Sequence, residues 1–243
     1  MEAGDGNDEI LGDLGSDRVY GDTGNDRIFG EGGNDQLTGA EGDDLLVGGA
    51  GADRLSGGTG VDTVDYSASA AAVQVSFALA AGPGIGGDAE GDTYSEIENI
   101  IGSRYADTLS ASGVGSGGAL TGGLGVDTMR GGTGVNLFIY QSTADTGLGA
   151  GKRDMISDFD GTEGDRIDLS RIDADPLTAG DQAFTFVGRT GFTGKGGEVG
   201  YRYSGDQVIV SIDLDGKNGA DIEIQISLPG QILPPMYATD FVL

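Results

Sequence analysis

The sequence predicts an all-β chain: a solenoid of very short strands, closed at one end by an antiparallel β region. Three observations carry that expectation. Aspartate recurs every nine residues from Asp8 to Asp62, always with glycine two places before it and an aliphatic residue two places after it. Glycine reaches 49 of 243 residues, an excess that this periodicity explains without invoking collagen or disorder. Beyond Tyr140 the period stops and alternating segments follow, as in Ile222, Ile224, Ile226 and Leu228, the period-two pattern of half-buried strands.

The first array covers residues 1–65. Its aspartates are Asp8, Asp17, Asp26, Asp35, Asp44, Asp53 and Asp62; the glycines before them are Gly6, Gly15, Gly24, Gly33, Gly42, Gly51 and Gly60; and the aliphatic column is Ile10, Val19, Ile28, Leu37, Leu46, Leu55 and Val64. Each unit therefore reads G-x-x-G-x-D-x-U-x. Glycine permits positive φ and close approach of loops, so the first six residues make a turn and the last three a strand. One aliphatic side chain per unit is too little for a core, and the units must stack. If each nonapeptide is half a coil, loops two repeats apart become neighbours. Asp8 then faces Asp26, Asp17 faces Asp35, Asp26 faces Asp44, Asp35 faces Asp53, and Asp44 faces Asp62. Facing carboxylates repel without a cation, and an oxygen-only, carbonyl-rich site suits Ca²⁺ better than Mg²⁺ or Zn²⁺.

These units resemble the RTX nonapeptide of the parallel β-roll, a Ca²⁺-binding repeat. GGAGADRLS at 48–56 and GGTGVDTVD at 57–65 match it in full, whereas Asp13, Asp22, Glu31 and Ala40 replace its second glycine and leave the loop geometry open. The resemblance implies a right-handed parallel β-roll holding several calcium ions. The expected ligands are the seven aspartates with backbone oxygens of Gly4, Gly6, Gly12, Gly15, Gly21, Gly24, Gly30, Gly33, Gly39, Gly42, Gly48 and Gly51.

Residues 66–101 break the period. Val73, Val75 and Phe77 alternate as a strand does, a glycine-rich turn follows at 82–87, and IENIIG at 97–102 leads back into a repeat. A hairpin-like insertion is expected, similar to the spacers between RTX blocks, with Asp88, Glu90, Asp92 and Glu96 on a solvated face. Residues 102–140 form a second, degenerate array. Asp107 and Asp127 keep the ligand position, Asn136 replaces it, and one charged pair, Asp107 with Asp127, is expected.

Residues 141–243 are expected to form an antiparallel β cap. DMISDFDGTEGDRIDLS, GDQAFTFVG and the final TDFVL resemble the serralysin-type C-terminal domain, without its protease domain. Asp154, Asp158 and Asp168 are candidate ligands for a calcium where roll meets cap. DLDGKNGAD at 213–221 looks like a calcium loop, except that Lys217 stands at its third ligand position. The last residues, Ala238 to Leu243, look like the uncleaved signal of type I secretion in Gram-negative bacteria, and equally like a final strand.

Composition excludes other classes. The formal net charge is −27, from 13 basic and 40 acidic residues, which argues against nucleic acid and anionic membranes as partners. With no cysteine and no histidine, disulfides, thiol nucleophiles, H-E-x-x-H sites and Ser-His-Asp triads are unavailable. No apolar run is long enough for membrane insertion, and the start lacks the pattern of a cleaved leader. The chain opens inside a repeat, with Ala3 at the first glycine position, so it is expected to be a piece of a longer protein. The leading functional expectation is a non-catalytic, monomeric, extracellular module that folds on calcium and is exported by a type I apparatus. The alternative is an accessory polysaccharide-binding module of an alginate epimerase or glycanase, which the absence of tryptophan and the charge disfavour.

Overall fold

The computed structural model describes residues 1–78, 82–113, 115, 117–176, 178–217, 219–228, 233 and 235–243. The first array contributes eight strands: β1 (Glu2–Asp5), β2 (Glu9–Leu11), β3 (Arg18–Thr23), β4 (Arg27–Phe29), β5 (Gln36–Glu41), β6 (Leu45–Val47), β7 (Arg54–Thr59) and β8 (Thr63–Asp65). Odd strands pair in parallel with odd strands and even with even, so two nonapeptides make one coil. Arg18 lies opposite Gln36 and Gln36 opposite Arg54, while Arg27 lies opposite Leu45 and Leu45 opposite Thr63. Successive residues of a strand point to opposite faces, and in the even strands only the middle residue is fully inside. Ile28, Leu46 and Val64 are completely buried, and Leu37 and Leu55 nearly so.

Residues 66–101 do more than loop out. Gln74 and Ile85 exchange backbone hydrogen bonds across an antiparallel bridge, which is the hairpin-like part; residues 79–81 within it lie outside the described set. Around the bridge, β9 (Gln74–Ser76) opens a third sheet, β10 (Thr93–Ser95) joins the first sheet beside β7, and β11 (Asn99–Ile101) joins the second beside β8.

The coil then continues through β12 (Thr108–Ser110), β13 (Ala119–Thr121), β14 (Thr128–Arg130), β15 (Leu137–Ile139), β16 (Met155–Ile156) and β17 (Arg166–Asp168). β12, β14 and β16 stack on β9, and β13, β15 and β17 stack on β11, all in parallel. The full motif therefore ends before the coil does: ahead of β16 and β17 the glycine two places before the aspartate is replaced by Lys152 and Glu163, but Asp154 and Asp165 keep the aspartate position and Ile156 and Ile167 are still buried.

The antiparallel region is a meander of β19 (Glu198–Ser204), β20 (Gln207–Asp213) and β21 (Ile222–Ser227), with β18 (Thr185–Gly188) parallel beside β19. β21 pairs with β16, which joins the meander to the third sheet. The final strand, β22 (Phe241–Val242), lies parallel to β17 and ends the second sheet. Phe241 is buried, with its ring 5.3 Å from that of Phe186. Inside the cap, Glu223 bonds Arg153 at 2.7 Å and Arg202 at 3.1 Å, tying the loop before β16 to β19 and β21.

Candidate cation-binding rows

Each first-array aspartate ends a turn, and its backbone sets the spacing of the stack. The N–H of Asp8 donates to Asp26 Oδ1, that of Asp17 to Asp35, Asp26 to Asp44, Asp35 to Asp53, and Asp44 to Asp62, every one at 2.8 Å across 18 residues. Loops two repeats apart are thus neighbours, and the carboxylates form two rows, an even row before the even strands, Asp8–Asp26–Asp44–Asp62, and an odd row before the odd strands, Asp17–Asp35–Asp53. The other oxygen, Oδ2, is buried in all seven and has no hydrogen-bond partner among the described residues.

In the third to seventh units the leading glycine borders that oxygen. A Cβ on Gly21, Gly30, Gly39, Gly48 or Gly57 would stand 2.0–2.5 Å from Oδ2 of Asp26, Asp35, Asp44, Asp53 or Asp62. The same Cβ on Gly21, Gly30 and Gly39 would meet the carbonyl oxygens of Gly39, Gly48 and Gly57 at 2.5–2.8 Å. The space is therefore a cradle walled by a carboxylate and by carbonyls of the next coil. The middle glycine has another reason: Gly33 has φ 138°, and its Cβ would press on the Gly15 carbonyl. The second position is more tolerant, since Asp13, Asp22, Glu31 and Ala40 adopt φ of 67°, 74°, 71° and 89°. Each such non-glycine residue costs about 1–3 kcal/mol, which the stack absorbs.

Without a cation the rows are electrostatically uncomfortable. Burial pushes the Asp53 carboxyl up to about 6, with the Asp35 N–H bond opposing and the Asp35 charge adding. Asp62 is likewise raised to about 6 and Asp44 is raised, burial again being the main cause. Burying a carboxylate with a free oxygen disfavours its charged form, and a cation beside Oδ2 reverses that preference. A groove of about 670 Å³ lined by Asn7, Asp8, Asn25, Asp26, Asp43 and Asp44 opens the even row to solvent.

A third row runs through the later coils. Asp107 N–H donates to Asp127 Oδ1 at 2.8 Å, and Asp127 N–H to Asp154 Oδ1 at 2.9 Å. Asp107 and Asp127 are neighbours as expected, but Asp107 Oδ2 already accepts the Ser103 N–H at 2.6 Å and its hydroxyl at 3.0 Å. The adjacent carboxylates that both keep a free buried oxygen are instead Asp127 and Asp154. Burial raises them to about 7 and about 8.

The expected grouping of Asp154, Asp158 and Asp168 does not form. Asp154 heads β16 in the third sheet, while Asp168 ends β17 in the second. Asp158 is satisfied by Gly131 N–H at 2.9 Å, Gly132 N–H at 2.8 Å and Arg130 at 3.2 Å. Asp168 accepts the Ser170 N–H and hydroxyl. In the 213–221 loop, Asp213, Asp215 and Asp221 bring ligand atoms within 4.8 Å of one another, yet the Lys217 ammonium stands 3.3 Å from Asp215. Asn218 of that loop lies outside the described residues.

Several participants escape the sequence reading. Asp92, expected on a solvated face, is completely buried and continues the odd row: Asp53 N–H donates to its Oδ1 at 2.7 Å. Glu98 does the same for Asp62 in the even row, and Asp165 for Asn136. The residue before each aspartate also builds a ladder, running the opposite way: Asn25 N–H donates to Asn7, Asp43 N–H to Asn25, and Val61 N–H to Asp43, at 2.8–3.0 Å. The recurrence of Asn, Ser and Asp at that position was the available signal.

No curated protein matches the chain. A family model described as Peptidase M10 serralysin C terminal matches residues 3–243, nearly the whole of a chain whose stacked parallel strands form a β-roll. On that match the chain belongs to the serralysin C-terminal family, the family of RTX-repeat β-rolls.

Proposed function

We propose that this protein is a calcium-folded, non-catalytic module of a secreted protein. The observation that carries the reading is the file of buried aspartate Oδ2 atoms without partners, repeated at every coil of the first array. Asp8, Asp17, Asp26, Asp35, Asp44, Asp53 and Asp62, with Asp127 and Asp154, would hold the ions, and the carbonyls bordering the glycine cradles would supply the neutral oxygens. Calcium contributes a positive charge and accepts many oxygen ligands at flexible geometry. The chain's own residues do the rest: the aspartate amides fix the coil spacing, the glycines keep the cradle open, and the aliphatic column excludes water.

Sites of the extracellular kind have Kd of about 10⁻⁴–10⁻³ M, so each adds about 0.5–2 kcal/mol at millimolar calcium. No single site folds the chain, whereas several in series match the stability of a domain, about 5–15 kcal/mol. The module is then disordered where calcium is scarce, because its net charge of −27 opposes compaction. It folds where calcium is plentiful, after export guided by its C-terminal residues. Circular dichroism in excess chelator, with calcium and then magnesium restored, tests this. The expected result is an unfolded chain that calcium folds cooperatively and magnesium folds poorly. A chain that is fully folded in chelator would overturn the reading.

A further inference from the structure

From the hydrogen bonding at the end of the odd row we infer that Tyr66 plugs the last cation position, so that the calcium row stops at Asp53 although the aspartate row continues to Asp92. This rests on the calcium reading above. Asp92 sits in the row as its predecessors do, accepting the Asp53 N–H through Oδ1 at 2.7 Å. It differs at the other oxygen. In Asp17, Asp35 and Asp53 Oδ2 is buried and has no partner, whereas Asp92 Oδ2 accepts the Tyr66 hydroxyl at 2.7 Å.

A tyrosine has one hydroxyl proton. With that proton given to Asp92, Tyr66 Oη can only accept from Tyr94, whose Oη lies 2.8 Å away. The two phenols thus form a short directed chain ending on the carboxylate. Calcium needs its oxygens at about 2.3–2.6 Å, and here an O–H already points at the lone pair it would use. Tyr94 is held in turn by its place opposite Leu55 in β10 and by Phe77, whose ring centroid is 5.4 Å from its own. The insertion supplies all of these groups: Tyr66 enters it, and Asp92 and Tyr94 leave it. Asp107 shows the same device independently, since Ser103 donates to its Oδ2. A donor placed on Oδ2 thus closes one end of the odd row, at Asp92, and one end of the third row, at Asp107.

The test is calcium stoichiometry of the full chain by native mass spectrometry in calcium buffer, with circular dichroism confirming the fold. Tyr66→Phe frees Asp92 Oδ2 and is expected to bind one ion more than wild type. Asp92→Asn keeps an acceptor for Asp53 N–H and is expected to leave the count unchanged, whereas Asp35→Asn, inside the row, lowers it. An unchanged count in folded Tyr66→Phe overturns the inference, as does a count one lower in Asp92→Asn, which decides the matter if Tyr66→Phe does not fold. Wild type without calcium overturns the metal reading together with this one. A normal wild-type count with a deficient Asp92→Asn overturns the plug alone.

Discussion

Replacing Asp35 by alanine is expected to damage calcium-driven folding far more than replacing Asp8. Asp35 stands inside the odd row: its Oδ1 accepts the Asp17 N–H, its own N–H donates to Asp53, and its free Oδ2 lies between those neighbours' coils. Asp35→Ala removes a hydrogen bond to a charged group, about 1.5–3 kcal/mol. It also removes a ligand from two cation positions at about 0.5–2 kcal/mol each, for a sum of about 2.5–7 kcal/mol. Asp8 donates its N–H to Asp26 but serves one position, so Asp8→Ala loses only about 0.5–2 kcal/mol. Calcium titrations followed by circular dichroism on wild type and both variants read the difference as midpoint and cooperativity. Asp8→Ala is expected to move the midpoint slightly and keep the steepness; Asp35→Ala is expected to move it several-fold and flatten the curve. Equal shifts would refute the shared-ligand mechanism.

Acidity should act on the metal-free chain in the opposite sense to ordinary acid denaturation. The carboxyls of Asp53 and Asp62 are raised to about 6, Asp127 to about 7 and Asp154 to about 8, above the unfolded value. Their contribution is therefore full below about 3.9 and lost as pH rises through about 6–8. In calcium-stripped buffer, the folded signal should grow from pH 8 to pH 5, and a flat profile would count against buried ionisable rows. Gly33→Ala should abolish calcium-induced folding because its φ of 138° and the Gly15 carbonyl leave no room for a Cβ; Glu31→Ala, at a position where non-glycine residues already sit, should be nearly silent in the same titration. Deleting residues 239–243 should stop export through a type I system and cost about 1.5–3 kcal/mol of folding stability through loss of buried Phe241; normal secretion of the truncated chain would reduce that ending to a strand.

The first array was legible because one physical rule repeats there. A glycine two places before aspartate, with an aliphatic two places after it, specifies turn, row and core together, and the 18-residue pairing followed from half-coils. Asp92 was illegible for the converse reason. It reaches Asp53 across 39 residues without glycine spacing or motif, and its acidic neighbours in sequence disguised it as surface. Asp154, Asp158 and Asp168 were grouped by proximity along the chain, which says nothing about which sheet a strand joins. After Tyr140 the glycine column and the nine-residue spacing fade, and what remains of the repeat is an aspartate two places before one inward residue, Asp154 with Ile156 and Asp165 with Ile167, too sparse a signal to read beforehand.

The two opposed ladders, aspartate side chains receiving amides from one direction and asparagine side chains from the other, also give the roll a mechanical character. Every coil of the first array is gripped through both ladders by the coil 18 residues away, and the contacts are the same from one coil to the next. A load applied along the stack meets equal bonds in series, so rupture is local rather than global. Pulled from one end, the first array should give way one coil at a time, each event releasing 18 residues of chain, or about 60–65 Å of contour.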